Sequence, residues 1–163
     1  MTVPVQLFCG ENEPHRSLML PIKNRIEISK AEGGIWTSTY HKENGSDWIQ
    51  VYDLIKGIPE EGLDGWLLIP SMDARVYTVS TLADLLWLHE KYEQKNAGVP
   101  DFIKSLDFEK MTDDFDAIHL TKEGQQQTRH SRPVNLWGWD SESTHWFRWC
   151  FEKVEYIGKV RGF

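Results

Sequence analysis

Cysteine is scarce: only Cys9 and Cys150 occur in 163 residues, and they form no C-x-x-C pair. A disulfide scaffold and a structural zinc knuckle are thereby excluded. No apolar run approaches the roughly 18 residues that a membrane-spanning helix needs, so no membrane partner is expected. Met1 to Phe8 lacks a basic region followed by an apolar stretch, which leads us to expect a cytoplasmic protein. There is no Pro/Gly-rich linker, internal repeat or low-complexity segment. Residues 1–163 therefore read as one domain. Positive charge is in deficit, with 18 Lys and Arg against 25 Asp and Glu and a net charge of −7. Such a field repels phosphate backbones at long range, so a broad electrostatic nucleic-acid binder is disfavoured while a small local patch stays open.

Tryptophan, in contrast, is abundant. The chain holds eight, four of them between Trp137 and Trp149. Large rings serve as core filler, as stacking surfaces or as interface anchors. Val3 to Cys9 alternates like a strand and stops at Gly10. Ile35 to Tyr40 is a β-branched and aromatic run behind Gly33-Gly34. Ser46 caps a helix whose inward positions read Trp48, Val51, Tyr52 and Ile55, and Gly57 ends it. Trp66 to Pro70 and Arg75 to Val79 read as strands. Thr81 caps a longer helix with Leu82, Leu85, Leu86 and Leu88 inward. Asp107 caps a short helix, and Ala117 to Leu120 is a short strand. Lys122 to Pro133 has no apolar period and reads as a mobile polar loop, while Thr144 to Phe151 and Val154 to Val160 read as closing strands. The elements do not alternate strictly, so the fold class is α+β: two small, mainly antiparallel packed sheets with about three helices.

Several chemistries lack their motifs. No G-x-S-x-G elbow surrounds a serine, and no phosphate-cradling glycine loop occurs. The six histidines (His15, His41, His89, His119, His130 and His145) lack H-x-x-x-H spacing, so no metal site is expected. Cys9 reads as a small buried hydrophobe rather than a nucleophile. Two segments remain. Trp137 to Trp146 sets Asp140 and Glu142 among indoles and hydroxyls, where partial desolvation raises a carboxyl pKa or strengthens its electrostatic effect on a developing cation. The plainer alternative is a solvated turn before a Trp-lined strand. Gly34 to Tyr40 places Thr37, Ser38 and Thr39 in a row between aromatics, more hydroxyls than a strand needs.

The order of these pieces resembles the ADP-ribosyltransferase fold, a broad group that includes RNA 2′-phosphotransferase-like and phage-encoded members. The resemblance rests on Leu7-Phe8-Cys9-Gly10, on Trp36-Thr37-Ser38-Thr39 followed by a helix with Trp48, and on Asp140-Ser141-Glu142-Ser143-Thr144. The stretch from Asp107 to His119 is similar to the helix-to-strand unit before the last motif. The resemblance implies cleavage of the nicotinamide–ribose bond of NAD and transfer of ADP-ribose to a macromolecular acceptor. It implies that Glu142 stabilises the oxocarbenium-like state and that Ser38, flanked by Thr37 and Thr39, holds Glu142 and the ribose. It also implies that Gly10 grips the nicotinamide amide through its backbone, and that Tyr40, Tyr52 or Trp36 stacks on the nicotinamide ring. Cys9 stands where relatives carry Arg or His, with His15 or Arg16 as substitutes, and Asp140 stands where some branches select the acceptor.

The leading expectation is therefore an NAD-dependent ADP-ribosyltransferase. The acidic balance favours a protein acceptor over nucleic acid, and the small size suits a phage or bacterial effector. Two alternatives stand beside it: a catalytically inactive Trp-rich protein-binding module, and an RNA 2′-phosphotransferase or NAD glycohydrolase on the same fold. For the phosphotransferase, Arg129, His130 and Arg132 are the only dense basic cluster.

Overall fold

A computed structural model describes residues 3–25, 29–95 and 100–162. Seven strands are described: β1 (Gln6–Cys9), β2 (Ile35–Thr39), β3 (Leu63–Pro70), β4 (Val76–Val79), β5 (Ala117–Leu120), β6 (Ser143–Trp146) and β7 (Phe151–Val160). They form a single mixed sheet in the order β4-β5-β6-β2-β1-β3-β7. Only the β4–β5 pair is parallel. Four helices accompany it, α1 (Asp47–Lys56), α2 (Leu82–Lys91), α3 (Phe108–Met111) and α4 (Lys122–Thr128), with a 3-10 turn at Arg16–Leu18. The class is α+β, as the sequence implies. The two expected sheets are instead two halves of one sheet, joined where β1 and β2 pair over just Gln6↔Thr39 and Leu7↔Ser38.

Local chemistry sets most of the helix ends. Ser46 Oγ accepts from the Ile49 amide at the start of α1, and Gly57, at φ 75, ends it with its N–H on the Asp53 carbonyl. Thr81 and Asp84 form a reciprocal capping box on α2, which satisfies two amides that the helix cannot. The Asp107 carboxylate accepts from the Lys110 amide and starts α3.

The apolar face of α2 and the short α3 cover one side of the sheet. Leu85, Leu88, Tyr92, Phe108 and Met111 pack there against Ile118 and Leu120, all at most 2% exposed. Each such side chain contributes about 1.5–3 kcal/mol of burial. A second cluster of Ile35, Trp66, Leu68, Trp146 and Phe151 fills the other side.

Four readings change. Lys122 to Pro133 is not one loop: Lys122–Thr128 is helix α4, with the Thr121 hydroxyl accepting from the Gly124 amide. Its inward residues are Gly124 and Thr128, which carry no apolar signal, and the three glutamines are good helix formers. The glycine is needed, because a Cβ at position 124 would lie 2.1 Å from the Val79 carbonyl oxygen. In α1 the one buried residue is Ile49, whereas Ile55 is 66% exposed and Trp48 half-buried. The helix meets the sheet at its first turn, where the Trp48 amide donates to Ser38 Oγ (3.3 Å). In α2, Leu86 lies outside the buried stripe. Finally, Thr144 to Phe151 is no continuous strand: β6 ends at Trp146 and β7 begins at Phe151, extending the expected Val154–Val160 strand toward the N-terminus. Among the described residues no helix is long and apolar enough to cross a membrane.

Candidate active site

The site begins where the sheet divides. Beyond Leu7 and Ser38, β1 continues against β3 as far as Cys9↔Gly65, while β2 runs against β6 from Thr37↔Thr144 back to Ile35↔Trp146. The two strands diverge, and their facing edges lose their strand partner. Between them opens a cavity of about 390 Å³, within the size range of small-molecule sites. Phe8 and Cys9 line it from β1, Trp36, Thr37 and Ser38 from β2, and Trp48 from α1. Trp139, Asp140, Ser141 and Ser143 line it from the segment entering β6, and Pro14, His15, Leu18, Met19 and Lys30 close the remaining side.

Glu142 sits between two of these serines, just before β6, and does not itself line the cavity. It is 8% exposed. Ser38 Oγ lies 2.7 Å from its Oε1 and 2.9 Å from its carbonyl oxygen, sharing one proton between them. The Thr39 amide donates to Oε1 (2.9 Å), and the Thr39 hydroxyl to Oε2 (2.6 Å). His119 Nε2, on β5, lies 2.7 Å from Oε2. The Glu142 amide donates to Asp47 Oδ2 (3.0 Å), and Lys122 sits 3.6 Å from the other oxygen of Asp47. Burial opposes ionisation of this carboxyl, but the bonds from His119, Thr39 and Ser38 outweigh it and hold the carboxyl below its ordinary range. The shift is opposite to the rise that desolvation alone would cause: a carboxylate accepting several donors is favoured in its charged form.

A chain of hydrogen bonds stands behind the carboxylate. Trp146 Nε1 donates to Thr37 Oγ1 (2.9 Å), whose hydroxyl donates to Gln6 Oε1 (2.7 Å), and Gln6 Nε2 reaches Thr39 Oγ1 at 3.5 Å. Every link points its proton toward Glu142, so each bond polarises the next. Gln6 and Trp146 are fully buried, which fixes the geometry.

The aromatic rings divide by availability. Trp36 is covered on both sides, by His145 stacked at 4.0 Å and 11° and by the Lys30 ammonium 4.6 Å from its centroid. His145 donates from Nε2 to the Gly33 carbonyl (2.8 Å), and burial pulls its pKa down to about 4, so it is neutral. Trp139 meets Trp36 edge-on at 4.7 Å and is tied by its Nε1 to the Ser29 carbonyl. Trp48 has Tyr52 stacked on one side (4.9 Å, 27°) while it lines the cavity. Lys30 has its pKa lowered by burial, partly offset by Asp140. Burial pushes the Cys9 thiol up to about 12, so it is no nucleophile at neutral pH.

Of the residues singled out from sequence, the cavity gathers Cys9, Trp36, Thr37, Ser38 and Asp140. Glu142 and Thr39 lie directly behind Ser38. Gly10 is off the cavity, its N–H spent on the Asp64 carbonyl (3.2 Å), so the backbone lining the cavity there is that of Phe8 and Cys9. Tyr40 is tied through its amide to the carbonyl of Val5, just before β1, Tyr52 backs Trp48, and Arg16 is exposed on the 3-10 turn; none of the three lines the cavity. Sequence reasoning missed Lys30, Trp139 and His119 as site residues, and it assigned Trp48 to the core. His119 carries no motif and becomes visible only through the register His119↔Thr144 of β5 on β6. Among the described residues no three His, Cys, Asp or Glu side chains converge in a way that would hold a metal ion.

No protein-family model matches the chain, and no curated protein or solved structure is significantly similar to it.

Proposed function

We propose that this protein is an NAD-dependent ADP-ribosyltransferase that releases nicotinamide and passes ADP-ribose to a macromolecule. The observation that carries this reading is the Glu142 carboxylate, kept charged in a buried setting and joined to the cavity through the 2.7 Å bond to Ser38 Oγ. Breaking the nicotinamide–ribose bond requires no general acid, because the leaving pyridinium already carries positive charge. It requires instead a fixed anion near the anomeric carbon as positive character builds there. A preorganised carboxylate in a low-dielectric site supplies that without reorganisation during the reaction. In this reading Ser38 links Oε1 to the cavity, donating to Oε1 and accepting from a sugar hydroxyl.

The cavity supports the same substrate. Trp48 offers one indole face, the best surface for a cationic ring, and replaces Tyr40, Tyr52 and Trp36 as the stacking partner for nicotinamide. The unpaired backbone edge of Phe8 and Cys9 serves its carboxamide. Lys30 and His15 take the phosphates, which assigns to the loop the cationic role that Cys9 leaves empty on β1. Asp140 lies on the rim, where the acceptor arrives.

The test is incubation of the purified protein with NAD, measuring free nicotinamide, and with labelled NAD in a whole-cell lysate, following label to protein or nucleic acid. Nicotinamide release that disappears in Glu142→Gln is expected. Absence of release and of label overturns the reading. The second reading, a catalytically inactive binding module, is favoured by one feature: protein donors already hold both oxygens of Glu142. It predicts no label transfer by wild-type protein.

A further inference from the structure

Glu142 has two chemically equivalent oxygens in unequal surroundings. Oε1 meets Ser38, whose side chain lines the cavity, and the Thr39 amide. Oε2 meets the Thr39 hydroxyl and His119 on the far side from the cavity. His119 projects from β5, a strand that contributes nothing to the cavity wall. Its ring and the Glu142 side chain each keep about 10% of their surface exposed. A charged carboxylate only accepts, so the His119 proton in this contact resides on Nε2.

We infer that His119 is a positioning residue: it anchors Oε2 so that Oε1 is the oxygen presented to the substrate through Ser38. This rests on the reading of Glu142 as the reactive carboxylate. Without the anchor, the carboxylate rotates about its terminal torsion, which is broad and soft, and only the rotatable Thr39 hydroxyl holds Oε2. Productive geometry is then populated less often, and the cost falls on turnover rather than on NAD binding. The charged and titratable groups around the carboxylate are few: His119 from β5, Asp47 from α1 on its amide, and Lys122 of α4 behind Asp47. Of these, His119 alone touches a carboxylate oxygen.

The experiment compares His119→Ala with His119→Gln, whose side-chain amide still offers an N–H to Oε2. Two readouts are used: the kinetics of nicotinamide release from NAD, and the titration of the Glu142 side-chain carboxyl carbon followed by NMR. For His119→Ala we expect kcat lower by about 10- to 100-fold, as the loss of one charge-assisted bond gives, with KM for NAD nearly unchanged. The acidic limb of the rate profile and the Glu142 titration should both move to higher pH, and His119→Gln should restore both. A His119→Ala protein of wild-type rate overturns the inference. So does a His119→Gln protein as slow as the alanine variant with the titration unmoved, which would make His119 a proton acceptor instead. If the wild type releases no nicotinamide, the proposed activity falls by itself. The carboxyl titration still decides whether His119 anchors Glu142, and an unmoved midpoint in the alanine variant overturns that.

Discussion

Removing the Glu142 side chain should destabilise the protein as well as silence it, by an amount the hydrogen bonds allow one to work out. In Glu142→Ala four donor contacts lose their acceptor. The Ser38 hydroxyl retains the Glu142 carbonyl at 2.9 Å, the Thr39 hydroxyl rotates, and His119 moves its proton to the other ring nitrogen. The Thr39 amide alone has no such escape. One stranded buried donor, plus the loss of charge-strengthened bonds, costs about 2–4 kcal/mol. Glu142→Gln fares better: its amide oxygen serves Ser38 and the Thr39 amide while its NH2 group faces a hydroxyl and an imidazole that can each turn to accept. About 1–2 kcal/mol is lost there. At roughly 2–4 °C per kcal/mol for a chain of this size, Tm falls by about 4–16 °C for the alanine variant and about 2–8 °C for the glutamine variant at pH 7. The two variants thus separate a stability cost from a catalytic one. Because the folded-state carboxyl lies below its ordinary range, its contribution is complete above that range and lost as pH falls from there through the lower folded-state value. The Tm gap between wild type and Glu142→Gln should therefore be full at neutral pH and shrink as pH falls below the usual carboxylate value of about 4. Calorimetric or fluorescence melts across that range decide the matter. A gap that stays constant with pH, or an alanine variant as stable as wild type, would refute the account of a carboxylate held charged by its donors.

Two further outcomes test neighbouring parts. Ser38→Ala removes one of the contacts to Oε1 and should slow nicotinamide release by about fivefold, one net hydrogen bond of roughly 1 kcal/mol; steady-state kinetics at saturating NAD would reveal it. Gly124→Ala forces a methyl group against the Val79 carbonyl, 2.1 Å from the added carbon, and should cost about 1–3 kcal/mol by overpacking. Urea melts would show this as a lower midpoint with an unchanged slope.

The starts of α1, α2 and α3, the glycine stop of α1 and the α+β class were legible in the chain; the helix ends depend on contacts within a few residues. Ser46, Thr81 and Asp107 cap wherever the surrounding fold leads, since each satisfies an amide two or three positions on. The pairing of Ser38 with Glu142 was reachable by resemblance, as short motifs in the right order. Helix α4 was not, because its buried side is Gly124 and Thr128 and gives no apolar period. Trp48 was misassigned for a related reason: the apolar period of α1 marks a stripe that the fold leaves largely uncovered, with Ile49 buried instead and Trp48 lining the cavity.

That gap belongs to the tertiary structure alone. Residue types determined that β1 and β2 would be strands with hydroxyls at the end of one of them. Only the assembled sheet decided that the two would pair over two positions and then separate. Separation leaves backbone edges and indoles around an empty volume, a property of two strands held by different neighbours. The same is true of the direction in which Glu142 ionises. An acidic residue among tryptophans reads as desolvated, and burial does act that way. The donors that reverse the outcome come from Ser38, Thr39 and His119, positions 104, 103 and 23 residues away in the chain, which the sheet register alone brings within hydrogen-bonding distance.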